Sequence, residues 1–157
     1  KMRKFLMTAQ GYEKLIKEID DLKSQRPSII AAIAEARAHG DLSENADYDA
    51  AREKQGFVEA MISDLEYKLS HSEIVDPSKS KTPDVVGFGF YIELEDEDTG
   101  DIVTYRIVSE YEADLTRKYI SSTSPVARAM MGRKAGDSVE VRTPKGIKYY
   151  TIKSLRV

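Results

Sequence analysis

The chain contains no cysteine, which excludes a disulfide framework, a thiolate nucleophile and a cysteine-ligated zinc site, and favours a reducing, cytoplasmic setting. It also lacks any apolar run approaching the roughly 20 residues that a membrane-spanning helix needs. Its opening, Lys1-Met2-Arg3-Lys4-Phe5-Leu6-Met7, is too short for a secretory signal. A soluble protein that is not exported is expected. There is no basic excess either: 27 acidic against 24 basic side chains leave a formal charge of −3, which speaks against gripping long stretches of nucleic acid by phosphate neutralisation. Any contact with nucleic acid has to be local, or borrowed from a partner. Finally, glycine is absent between Gly11 and Gly40, and an uninterrupted stretch of that length invites a helix.

What fills that stretch is a strict 3-4 spacing: Tyr12, Leu15, Ile19, Leu22, Arg26, Ile29, Ile33 and Ala36. This is the seam of a coiled coil. A second seam runs through Tyr48, Ala51, Gln55, Val58, Ile62, Leu65 and Leu69. Between them Gly40 suits a helix end, and Asp41 or Ser43 suits the cap of the next helix. So short a connection requires the helices to run antiparallel. In an antiparallel hairpin, facing residues have numbers that add to a constant. Tyr12 with Leu69, Ile19 with Ile62, Arg26 with Gln55 and Ile33 with Tyr48 satisfy this, which puts the fold-back at Gly40-Asp41. The two polar seam positions, Arg26 and Gln55, fall opposite each other and predict a register-setting polar layer. Pro27 predicts a kink there. About 30 residues per helix make a rod on the order of 45 Å long.

The segment Asp76-Pro77-Ser78-Lys79-Ser80-Lys81-Thr82-Pro83 reads as a linker over 77–83, dividing a hairpin at 1–76 from a second domain at 84–157. Beyond it the period changes to two. Phe88, Phe90, Ile92 and Leu94 form one strand, and Val103, Tyr105 and Ile107 its hairpin partner. Ser124-Pro125 starts a short helix over Val126–Met131, and Val139 and Val141, then Ile147 and Tyr149, make a last hairpin. The fold class is α+β: an antiparallel helical hairpin followed by a small antiparallel β domain with one short helix. Tyr91, Tyr105, Tyr111, Tyr119, Tyr149 and Tyr150 fit sheet packing better than base stacking. His39 and His71 read as solvated.

The chemistry is concentrated at the fold-back, where Asp41, Glu44, Asp47 and Asp49 crowd together. Two readings of Asp41 and Glu44 are open. As a close carboxylate pair they suit a shared Mg2+, which prefers hard oxygen ligands and completes its shell with water and phosphate. As Asp41-Leu42-Ser43-Glu44 they also suit a capping box. Two carboxylates do not make a cage, so a magnesium site here would need ligands from elsewhere. Arg37 and Arg52, one or two turns below, either meet a phosphate backbone or pair with Glu35, Asp49 or Glu53.

The run Ala36-Arg37-Ala38-His39-Gly40-Asp41-Leu42-Ser43-Glu44-Asn45-Ala46-Asp47-Tyr48 resembles the tip signature of the Gre family of transcript-cleavage factors, most of all the GreA type. Met7-Thr8-Ala9-Gln10-Gly11-Tyr12-Glu13-Lys14-Leu15, Arg26-Pro27 and Ile120-Ser121-Ser122-Thr123-Ser124-Pro125-Val126-Ala127-Arg128-Ala129 extend the resemblance over nearly the whole chain. It implies that the second domain is FKBP-like and docks on bacterial RNA polymerase. It also implies that the hairpin enters the polymerase secondary channel, where Asp41 and Glu44 hold a magnesium ion shared with the polymerase and stimulate cleavage of the backtracked nascent RNA at its 3′ end. Arg37 and Arg52 would then form an RNA-facing basic patch, and Ser124 and Pro125 would lie in the docking loop, although both are equally explained as helix-start residues. The factor would be no enzyme itself and take no small-molecule substrate.

Two alternatives remain: a channel-plugging inhibitor of the same shape, and a prolyl isomerase or chaperone built on the FKBP-like domain. The acids at 41 and 44 disfavour the first, and fold alone does not grant the second.

Overall fold

The protein is seen here as a computed structural model that describes residues 4–41 and 45–157. It forms two compact units: Tyr12–Ser72 makes one, and the remainder of the described chain makes the other.

The first unit is the helical hairpin. Its first arm is α1 (Ala9–Lys23) followed by α2 (Arg26–Ala38), and its second arm is α3 (Ala46–Ser70). The seam holds. Leu15, Ile19, Ile29, Ile33 and Ala36 are buried on the first arm, and Val58, Ile62 and Leu65 on the second. Ile29, Ile33, Val58 and Ile62 form one apolar cluster flanked by Leu22, Tyr48 and Ala51, as the antiparallel register requires. Two details differ from expectation. The first arm does not kink at Pro27 but breaks just before it: Ser24 and Gln25 form a turn, and α2 starts anew with proline in its first turn. Proline has no N–H to donate and its ring clashes with the carbonyl four residues earlier, so restarting the helix costs less than bending it. The predicted Arg26–Gln55 layer is also displaced. Arg26 makes a two-pronged ion pair with Glu59, one turn further along α3, with Nε and Nη2 each donating over 2.8 Å. Gln55 instead accepts from Arg52 Nη1 at 2.9 Å. A fork-shaped guanidinium matches a carboxylate better than an amide.

The second unit contains a five-stranded sheet in the order β5-β4-β3-β7-β6. Its strands are β3 (Tyr91–Asp96), β4 (Ile102–Val108), β5 (Tyr119–Ser121), β6 (Ser138–Thr143) and β7 (Gly146–Arg156), with α4 (Pro125–Met130) between β5 and β6. Neighbours are antiparallel except β4 and β5, which run parallel. A two-stranded sheet joins β1 (Phe5–Met7) to β2 (Ser72–Ile74). Alternation sends Ile92, Leu94, Ile107, Val139, Val141 and Ile152 to one face, where Ala127 and Met130 of α4 complete the core. The first strand begins at Tyr91 rather than Phe88, because Gly89 sits at φ +86° beneath the Pro77 ring and bends the chain there.

Of the tyrosines expected to pack on the sheet, Tyr105 and Tyr150 join the core, Tyr149 is exposed, Tyr111 lies outside the strands, and Tyr91 and Tyr119 pack on the opposite face with cations between them. The buried Arg106 lies 5.0 Å from the Tyr91 ring and 5.5 Å from that of Tyr119, and Arg156 lies 3.9 Å from Tyr91.

The start of α1 is anchored within this unit. Thr8 caps it, its hydroxyl accepting from the Gly11 amide at 3.1 Å. The Glu112 carboxylate accepts from the Thr8 amide and hydroxyl and from the Ser109 hydroxyl at 2.9 Å. A side chain at Gly11 would collide with that carboxylate, which accounts for the glycine.

Candidate functional site

The site is the fold-back between α2 and α3. The first arm ends where the sequence says it should: His39 is the last half-helical residue, and Gly40 follows at φ +105°, a conformation that strains any residue with a Cβ. Asp41 comes next and is exposed. Leu42, Ser43 and Glu44 lie outside the described residues, so half of the predicted acidic pair has no geometry here.

The second arm starts differently from expectation. The residue that caps α3 is Asn45. Its Oδ1 accepts from the Tyr48 amide at 3.0 Å. Glu44 therefore precedes the cap in sequence, whereas a capping box would need it at the third helical position. The cap of α3 is thus Asn45 rather than Asp41, and the pairing of Asp41 with Glu44 lies outside the described residues. The other end of the same Asn45 side chain, Nδ2, donates to the Ala36 carbonyl at 2.6 Å, across the hairpin on α2. These contacts also fix the amide's orientation: the atom facing an N–H must be the oxygen, and the atom facing a carbonyl must be the nitrogen. His39, Asp41, Asn45, Ala46 and Asp47 line an open cleft of about 330 Å³. Asp47 and Asp49 occupy the first turn of α3, where negative charge meets the positive end of the helix dipole.

The arginines flank this tip. The guanidinium of Arg37 lies 5.8 Å from the Tyr48 ring, and Arg52 donates to Gln55. Neither is ion-paired among the described residues, so the expected pairing with Glu35, Asp49 or Glu53 does not occur. Both are exposed. Helical spacing puts them on the flank of the hairpin that also carries Arg26, Ile30 and Glu59. The opposite flank is a groove of small residues, Ala32, Ala36, Ala50 and Ala51, with Glu35, His39, Asp47 and Lys54 around it.

In the second unit Ser124 caps α4, its hydroxyl accepting from the Ala127 amide at 3.3 Å, and Pro125 is the first helical residue and exposed. The helix-start role of both is thus real. It leaves the proline ring on the surface.

No group of three or more His, Asp or Glu side chains among the described residues stands close enough to hold a metal ion. Asp41 offers a hard oxygen on an exposed turn, which fits a share in a magnesium shell rather than a resident site. No helix among the described residues is long and apolar enough to cross a membrane. The residue that sequence reasoning missed is Asn45. Its type and its place before an acidic first turn signal an N-cap, but no local pattern reveals the bond to Ala36.

Comparison with known proteins gives a consistent result. Residues 5–74 match the family model for the N-terminal part of transcription elongation factors, and residues 80–156 match that for the C-terminal part of GreA/GreB transcription elongation factors. The chain is 52% identical over 156 residues to transcription elongation factor GreA of Paracoccus denitrificans, covering 99% of each protein. It is 52% identical over 147 residues to the GreA of Verminephrobacter eiseniae, covering 93% of each. Among solved structures, GreA factor homolog 1 of Thermus thermophilus is 27% identical, with 99% of this chain and 100% of that one covered at a TM-score of 0.45.

Proposed function

The chain belongs to the GreA/GreB family of transcription elongation factors, and on that premise we propose that it presents the tip of its hairpin to the catalytic centre of a bacterial RNA polymerase stalled on backtracked RNA. The observation that carries this reading is at the fold-back. Helix capping is done by Asn45, and Asp41 stands exposed on the turn before it. An acid exposed at such a tip suits a task performed with a partner.

Magnesium, when bound there, supplies Lewis-acid polarisation of a phosphoryl oxygen and a lowered pKa for its water. Asp41 and Glu44 are the residues of this chain that share in holding it, and the polymerase and an RNA phosphate provide the other ligands. The carboxylates also orient the attacking water through its hydrogens. The water oxygen bonds to phosphorus as the bond to the 3′ oxygen breaks, a proton passes to that oxygen, and a short 3′ fragment leaves with a 5′ phosphate while the transcript keeps a new 3′ hydroxyl. The factor donates ligands and position, and the polymerase provides most of the site. Arg37 and Arg52 face the displaced RNA, where guanidinium groups match phosphate geometry. The exposed Pro125 ring, held by the Ser124 cap, belongs to the surface that docks on the polymerase.

The test is RNA shortening on stalled, backtracked complexes. The parent protein should accelerate it only when magnesium is present. Asp41→Ala and Glu44→Ala should remove the acceleration while still competing with the parent for polymerase. Two variants as active as the parent would refute the ligand role.

A further inference from the structure

We propose that Asn45 is the positioning residue of the tip, a clasp between the two arms of the hairpin that sets where Asp41 stands. This deepens the functional reading above and rests on it. The loop leaves α2 after Ala38 and enters α3 at Ala46. Asn45 holds both ends at once, accepting from the Tyr48 amide at 3.0 Å and donating to the Ala36 carbonyl at 2.6 Å. The second bond spans nine positions in sequence and is half-buried. Ala36 is a buried seam residue at 2% exposure, so its carbonyl belongs to the rigid part of the rod rather than to the turn. The chemistry required is narrow. One short side chain must both accept from an N–H and donate to a carbonyl. Aspartate only accepts, serine is too short to serve both groups, and glutamine caps poorly. With this bond made, the end of α2 and the start of α3 are tied together, and Asp41 beside that joint is placed before any ion arrives. Pre-organisation of this kind favours a ligand set that must meet an ion held by another molecule.

Asn45→Asp separates the two bonds. It keeps the cap, and the helix dipole welcomes its charge, but it cannot donate to Ala36 and sets a carboxylate against that carbonyl. Asn45→Ser keeps the cap without reaching across. Three readouts are compared with the parent and with Asp41→Ala: amide hydrogen exchange over 37–44 in the free protein, affinity for polymerase by competition, and the rate of RNA shortening. For Asn45→Asp and Asn45→Ser, exchange should rise and shortening should fall by roughly two- to tenfold, the weight of one hydrogen bond. Helix content and polymerase affinity should stay near the parent's. If Asp41→Ala is inactive but both Asn45 variants exchange and shorten RNA like the parent, the clasp is refuted and the tip reading survives. If both Asn45 variants lose affinity and helix content together with activity, the residue is merely structural and the proposal fails. If Asp41→Ala is as active as the parent, the tip reading fails and takes the clasp's purpose with it.

Discussion

Asp96 closes the end of β3 and is a buried carboxylate, 7% exposed. Its oxygens accept from the Asp98 amide at 2.9 Å and from Lys148 at 3.3 Å. The Asp98 amide chiefly, with Lys148 and the Thr99 amide assisting, holds its pKa below the ordinary carboxylate range. A depressed folded-state pKa contributes stability above the unfolded value of about 3.9, and that contribution is lost as pH falls through the folded value. Asp96→Asn should therefore unfold at a lower temperature than the parent at pH 7, and the gap should close as the pH falls below about 4. A gap of constant size across that range would mean that packing, not charge, is at stake. At this scale the sequence is legible only where a residue acts on its near neighbours. Gly40 as a helix end and Ser124 as a cap could be read directly. The Asn45–Ala36 and Arg26–Glu59 bonds could not, because each depends on which side chain fits a partner that only the folded hairpin brings near.

The helices were the most readable elements, because a seam position is fixed by burial and burial recurs with the helical period. Ile62 is 2% exposed in the cluster with Ile29, Ile33 and Val58, so Ile62→Ala should cost about 2–5 kcal/mol, seen as an earlier loss of helical signal on heating. An unchanged melting curve would mean that the seam is not what holds the hairpin. The break before Pro27 was anticipated in kind but not in place, since proline dictates that something must give without saying which residue turns. Strands were legible where alternation was long, as in β3 and β4. The three-residue strands β1, β2 and β5 carry too few positions to show a period and owe their existence to partners distant in sequence. At Gly89, φ +86° and a Cβ position 3.1 Å from the Pro77 ring predict that Gly89→Ala costs about 1–3 kcal/mol in the sheet unit. Equal stability of the variant, measured by chemical denaturation, would contradict that.

For the whole molecule, the proposed function divides the labour between the two units: the hairpin would carry the acids and the sheet unit would carry Pro125. A Pro125 substitution should weaken competition for polymerase more than it lowers the melting temperature, and the reverse result would reduce it to a helix-start residue. The central claim is that this chain lends magnesium ligands to another protein's catalytic centre, and the magnesium dependence of RNA shortening on backtracked complexes tests it most directly. With the parent present, the rate should half-saturate at a lower magnesium concentration than with polymerase alone, and Asp41→Asn should move that point back toward the polymerase's own value. The same half-saturation with parent, variant and no factor would contradict the account, whatever happened to the maximal rate.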